Sequence, residues 1–190
     1  MTSKQFLLAA AILVGLLASP LAAQTSSETE KFLTAVRERD GNTATESLRS
    51  GRTSLINARD EKGETALTIT IARRDENWSL FLLGMGADVN AATVRGDTPL
   101  IAAARIGFTS IAAELLALKA RVDAANRMGE TPLIVAVQQR QIPIVKMLLA
   151  AGADPDKTDS AAGYSARDYA TRDTRSREIL KLIEARKPKT

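Results

Sequence analysis

The sequence predicts an all-α solenoid of stacked helix-turn-helix units, and three observations predict it. The first is a repeated segment. Gly129-Glu130-Thr131-Pro132-Leu133 is preceded 33 residues upstream by Gly96-Asp97-Thr98-Pro99-Leu100, and at the same step again by Gly63-Glu64-Thr65-Ala66-Leu67. A worn copy, Gly163-Tyr164-Ser165-Ala166, follows 34 residues downstream. The second is that other positions keep the step: Asn57, Asn90, Asp123 and Asp156 are each 33 apart, as are Leu83, Leu116 and Leu149. The third is two apolar blocks per unit at the 3.6-residue spacing of a helix face. A period of this length, held at independent positions, marks units that bury their faces only against neighbours.

Each unit follows one plan. A glycine (Gly63, Gly96 or Gly129) after a polar run supplies the positive φ of a tight turn. Two residues on, Thr65, Thr98 or Thr131 serves as N-cap, its hydroxyl accepting from a free helical N–H. Pro99 and Pro132 suit the first helical position, where no N–H is missed. The first helix is small and apolar, with Leu100, Ala102, Ala103 and Ala104 in one copy and Leu133, Ala136 and Val137 in the next. The second carries the larger residues: Trp78, Phe81, Leu82, Leu83; Ile111, Ala112, Leu115, Leu116; Ile144, Val145, Leu148, Leu149. It stops at Gly86 and Gly152, which suit a left-handed cap, while Lys119 stands at that place in the middle copy.

The ends differ. Residues 31–62 form an N-terminal capping unit, with a helix from Lys31 carrying Phe32, Leu33, Ala35 and Val36, a break at Gly41, and a second helix over Thr43 to Ser50. The full units span 63–95, 96–128 and 129–162. Residues 163–186 form a C-terminal cap whose closing helix, Arg177 to Arg186, buries Ile179, Leu180, Leu182 and Ile183, and 187–190 are a polar tail. Residues 24–30 lack apolar periodicity and read as a flexible leader. Residues 1–23 read as a secretory signal peptide: Lys4, an uncharged apolar run from Phe6 to Leu17, then small residues ending Ala22-Ala23. Cleavage is expected after Ala23. The run of about a dozen residues is short for a membrane span, which needs roughly 20, so a retained anchor is the lesser alternative.

Composition excludes several chemistries. The chain of 190 residues holds no cysteine and no histidine, so disulfides, thiolate nucleophiles, imidazole bases and Cys/His metal sites are ruled out. Net charge is +4, from scattered Lys and Arg, which suits a mixed-charge surface better than a nucleic-acid face. The sequon Asn77-Trp78-Ser79 falls in a helix and reads as chance. Serine and threonine have no histidine to activate them. The ordered acids Glu64, Asp97 and Glu130 are expected about 10 Å apart in successive units, too wide to share a proton or a metal. They suit helix N-termini instead. The Asn57 to Asp156 series reads as turn chemistry, each side chain bonding its own turn. No catalytic, cofactor or metal residue is therefore assigned.

The units GDTPLIAAARIGFTSIAAELLALKA and GETPLIVAVQQRQIPIVKMLLAAGAD resemble the ankyrin repeat, whose pattern runs Gly-x-Thr-Pro-Leu-His, an Ala-rich helix, and a second helix ending Leu-Leu-x-x-Gly-Ala-Asp. The resemblance covers roughly 31–186. Thr68, Ile101 and Ile134 stand where the family has histidine, so its side-chain network is expected to be missing, and Ala66 replaces the proline in the first copy. The resemblance implies antiparallel helix pairs in a curved solenoid, capped at both ends, with hairpin tips at right angles. It also implies partner binding along the concave face rather than catalysis.

Candidate partner-binding positions are the tips and first-helix ends that the repeat pattern leaves unspecified. They are Glu61, Lys62 and Arg73; Val94, Arg95, Arg105 and Ile106; and Arg127, Met128, Gln138 and Gln139. The expectation is a monomeric periplasmic or secreted module that binds another protein, without cofactor, nucleic acid or membrane. The alternatives are an effector that meets a host protein beyond the cell, or a structural or stress-protective periplasmic protein.

Overall fold

The computed structural model describes residues 20–49 and 53–185. The segment 1–19, which carries most of the export reading, lies outside them, as do 50–52 and 186–190. Ten α-helices are described: α1 (Pro20–Glu38), α2 (Gly41–Arg49), α3 (Ala66–Ala72), α4 (Glu76–Gly84), α5 (Pro99–Ile106), α6 (Thr109–Ala117), α7 (Pro132–Gln138), α8 (Ile142–Ala150), α9 (Ala166–Arg172) and α10 (Arg177–Glu184). Short 3-10 turns cover Thr53–Asn57 and Thr174–Ser176. No strand is present among the described residues, only a bridge between Thr158 and Ser165.

Helices pair within each unit and stack between units. The first helices α1, α3, α5, α7 and α9 form one row, each packed on the next. The second helices α4, α6, α8 and α10 form the other. Small residues let the inner row close up: Ala66, Ala103, Ala104, Ala136 and Ala166 have no exposed surface. Leu67, Leu100 and Leu133 repeat in that row, and Leu82, Leu115 and Leu148 in the outer one, all essentially fully buried. Burying each such side chain contributes about 1.5–3 kcal/mol, so the stack rests on repeat-to-repeat contact. Phe81 departs from its expected core role. It is exposed and lies edge-on to Trp78 with centroids 5.2 Å apart, because the helix turns Leu82 inward instead.

The predicted caps form. Thr65, Thr98 and Thr131 accept from the N–H of Thr68 (3.3 Å), Ile101 (3.2 Å) and Ile134 (3.2 Å). Thr68 is a correction to the expected loss of the family's network: its hydroxyl accepts from the Thr65 N–H at 2.8 Å and completes a capping box. Ile101 and Ile134 have no hydroxyl with which to do this.

Two further corrections concern the N-terminal unit. Residues 24–30 are not a separate leader but continue α1, which begins at Pro20. Their Gln, Ser, Thr and Glu lack an apolar stripe, yet contiguity with the anchored turn at Phe32 and Leu33 lets the helix propagate backward without a new nucleus. The chain also breaks two residues before Gly41. Arg39 takes the left-handed φ of 62°, and Gly41 starts α2, where the Trp78 ring lies 3.2 Å from the place a Cβ would occupy.

Arg39 belongs to a series invisible in the repeat pattern. Within two residues of the ends of α1, α3, α5 and α7 the backbone turns left-handed, at Arg39, Arg74 (φ 58°), Gly107 (φ 69°) and Arg140 (φ 52°). The second-helix ends behave as the sequence predicts, with Gly86 at 87°, Lys119 at 64° and Gly152 at 96°. A side chain in that region costs on the order of 1 kcal/mol. Lys119→Gly is therefore expected to raise stability by up to about 1 kcal/mol, less the added freedom of the unfolded chain. A denaturation midpoint that falls instead would refute the cap assignment.

The C-terminal cap is rich in stabilised carboxylates. Asp173 accepts from the Arg175 N–H (3.0 Å), Arg175 Nε (3.2 Å) and Arg140 Nη1 (3.1 Å). The backbone bond and, against a smaller burial effect, the two guanidiniums hold its pKa down, from 3.8 to about 2. Burial pushes Asp159 up, but the Tyr169 hydroxyl and the N–H groups of Ala162, Gly163 and Tyr164 together bring it below its ordinary value. A depressed folded pKa means stability that is present above the unfolded value and lost as pH falls through the folded one. Thermal melts should therefore fall as pH drops from about 4 to about 2, and Asp173→Asn should flatten part of that slope. An unchanged slope would remove Asp173 from the account.

Candidate protein-interaction face

The tips between units are built from a second register of polar residues. Asp60, Asn126 and Asp159 stand at equivalent places. Asp60 Oδ1 accepts from the N–H of Lys62 and Glu64, both at 2.8 Å. Asn126 Oδ1 accepts from Met128 (2.9 Å) and Glu130 (3.0 Å). Asp159 Oδ1 accepts from Ala161 (3.1 Å), Ala162 (2.7 Å) and Gly163 (3.0 Å). At the remaining place stands Thr93, whose buried hydroxyl has no hydrogen-bond partner among the described residues. Its side chain is one atom too short to reach forward as an Asx side chain does. Thr93→Asn should supply the missing acceptor and stabilise the protein by about 1 kcal/mol, read as a higher urea midpoint. No gain would mean that the tip fixes itself without that bond.

The tips are joined to one another. The N–H of Val94 donates to the Lys62 carbonyl (2.9 Å), that of Arg127 to Arg95 (3.0 Å), and that of Ser160 to Met128 (2.8 Å). Each turn glycine is seated under the next tip. A Cβ on Gly63 or Gly96 would lie 2.8 Å from the N of Val94 or Arg127, and one on Gly129 2.6 Å from the N of Ser160. The Asn57 series also links units, which corrects its reading as local turn chemistry. Asn57, Asn90 and Asp123 accept from the N–H of Asp88 (2.7 Å), Arg121 (2.8 Å) and Asp154 (2.9 Å), each 31 residues on.

Between the second and third tips lies a cleft of about 440 Å³ lined by Val94, Arg95, Arg105, Asn126, Arg127, Met128 and Glu130. Its floor is a polar network. The Asn126 side-chain N–H₂ donates to Asp97 Oδ1 (2.9 Å) and to Glu130 Oε2 (2.8 Å), so one amide ties two successive acids together. Arg105 Nη2 reaches Asp97 Oδ1 at 3.0 Å, and Arg95 Nη2 reaches Asp97 Oδ2 at 3.3 Å. Glu64 instead faces Arg37 at 3.5 Å. The acids therefore have side-chain partners beyond the helix N-termini. Among the described residues no group of three or more Asp or Glu could hold a metal ion.

The eleven candidate positions divide. Val94, Arg95, Arg105, Arg127 and Met128 come together around this cleft. Val94 is 47% and Met128 53% exposed. Glu61, Lys62 and Gln139 are exposed elsewhere, the first two on the first tip and the third at the end of α7. Three positions take part in the fold, contrary to expectation. Arg73 donates to the carbonyls of Val36 and Arg37 in the preceding unit and pairs with Asp75 at 2.9 Å. Ile106 packs against the core. Gln138 is half-buried beside the Tyr169 hydroxyl. Sequence reasoning missed Asn126. Its signal was the step of 33 shared by positions 60, 93, 126 and 159.

Paired helices stacked in two rows, joined by hydrogen-bonded tips, define a solenoid repeat protein. A family model described as Ankyrin repeats (3 copies) matches residues 78–159, from α4 to the last tip, and the fold is that of an ankyrin-repeat solenoid. No curated protein matches the chain. Ankyrin repeats generally mediate protein–protein interaction.

Proposed function

We propose that this chain is a non-catalytic interaction module of the cell envelope, and that its concave face holds a partner protein. The observation that carries this reading is the cleft between the second and third tips. Val94 and Met128 present apolar surface there beside the exposed guanidinium of Arg95. Apolar anchors next to arginine are what binding hot spots favour. The absence of histidine and cysteine removes the commonest catalytic groups and supports a binding role. The envelope location rests on the sequence of residues 1–23, and no described helix is long and apolar enough to cross a membrane.

The test is site-specific photo-crosslinking in the producing cell. A crosslinker at position 128 should capture a defined protein from the envelope fraction, and one at the exposed Ala113 of the outer row should not. The captured product should begin at Gln24. Equal capture from both positions, or none from 128, sinks the concave-face reading. A product that begins at residue 1 sinks the export reading alone.

A further inference from the structure

We propose that the cleft between the second and third tips takes an extended partner segment carrying aspartate or glutamate beside an apolar side chain. The proposal rests on the concave-face reading above and adds the chemistry of the partner. Its starting point is a like-charge pair. The Arg127 N–H donates to the Arg95 carbonyl at 3.0 Å, so the two residues are backbone neighbours, and both side chains line the same cleft. Two guanidiniums on adjoining tips add their positive potential over one cleft.

The acids nearby do not cancel this pair. Asp97 already accepts from Arg105 (3.0 Å) and Asn126 (2.9 Å), and its side chain is 13% exposed. Glu130 is 9% exposed and held by Asn126 at 2.8 Å. Arg95, by contrast, has 77% of its side chain exposed and touches Asp97 only at 3.3 Å. Arg127 is exposed and makes no ion pair to a side chain among the described residues. The carboxylates lie beneath the surface and the two cations stand above it. What a partner meets is cationic.

A carboxylate suits that potential, because a guanidinium fork grips a carboxylate with paired N–H bonds. The tips set its neighbours. Val94 precedes Arg95 on one tip, and Met128 follows Arg127 on the next, both about half exposed. A side chain of one sign flanked by apolar surface selects a segment that alternates acid with apolar residue. Methionine adapts its shape to whichever apolar residue enters. A volume of about 440 Å³ holds a few side chains rather than a folded domain.

The experiment uses the full chain and blocked, fluorescently labelled peptides followed by anisotropy. One peptide alternates glutamate with leucine. In a second, glutamine replaces glutamate; in a third, glycine replaces leucine. The glutamate–leucine peptide should bind at least about tenfold more tightly than either control, and binding should weaken as salt is raised. Arg95→Gln with Arg127→Gln should abolish the preference for glutamate, while Arg177→Gln with Lys181→Gln on the C-terminal helix should keep it. Equal binding of the glutamate and glutamine peptides, or a preference that survives in the cleft variant, overturns the proposal. If crosslinking from position 128 still captures a partner in that case, only the acidic specificity falls. If it captures nothing, the concave-face reading falls with it.

Discussion

Gly129→Ala should destabilise the protein by about 3 kcal/mol, whereas Gly163→Ala should cost about 1 kcal/mol. The two glycines occupy the same place in successive tips, with φ of 76° and 69°. An alanine at either pays the left-handed penalty of about 1–2 kcal/mol. Only at Gly129 does the added carbon meet another backbone: Ser160 N at 2.6 Å and the Asp159 carbonyl carbon at 3.0 Å. Backbone cannot swing aside as a flexible side chain can. Relief requires the last tip to lift, which breaks the bond from the Ser160 N–H to the Met128 carbonyl at 2.8 Å, worth about 1 kcal/mol net. Among the described residues nothing lies within 4 Å of a Cβ at Gly163. The difference between the two midpoints in urea therefore measures the seat between tips, separated from turn geometry. Equal losses would show that these glycines serve the turn alone.

That seat shows where the sequence was legible and where it was not. The recurring glycine, the Thr-Pro-Leu start and the paired apolar blocks encode local geometry and helix faces, and each led to the correct cap or buried row. Even Lys119 disclosed its left-handed backbone by standing where other units have glycine. Contacts between units were harder to read. Asn57 bonds the backbone of Asp88 and not its own turn, and the step of 33 cannot distinguish a side chain that serves its own unit from one that serves the next. The left-handed arginines at 39, 74 and 140 gave no signal, since only one member of that series, Gly107, is a glycine. Arg73 read as free surface because an arginine's reach is not in its letter; its guanidinium caps carbonyls of the preceding unit. The cleft was half legible. Its rim residues stood out as choices the fold did not demand, whereas the Asn126 bridge beneath them looked like one more turn residue.

Charge reversal at the rim should separate binding from folding. In Arg95→Glu with Arg127→Glu, melting should change little, because surface substitutions away from buried features usually fall within about 0.5 kcal/mol. The structure supports this for both positions. Arg95 loses only a largely exposed contact with Asp97, which keeps Arg105 and Asn126. Arg127 loses no ion pair among the described residues, and the backbone bond between the two residues does not involve their side chains. Partner capture should nevertheless disappear, since removal of an anchoring side chain costs more than about 2 kcal/mol and reversal adds repulsion. The control must remove the same charge without breaking a pair. Lys146 is unsuitable, because it meets Glu178 at 3.3 Å, and a glutamate there would face a carboxylate. Arg177→Glu with Lys181→Glu on α10 meets the requirement: both residues are exposed, and the net change is the same. The control should keep both melting and capture. If the rim variant still captures its partner at full strength, the partner docks elsewhere, and the exposed Leu80, Phe81 and Met85 of the outer row become the surface to test.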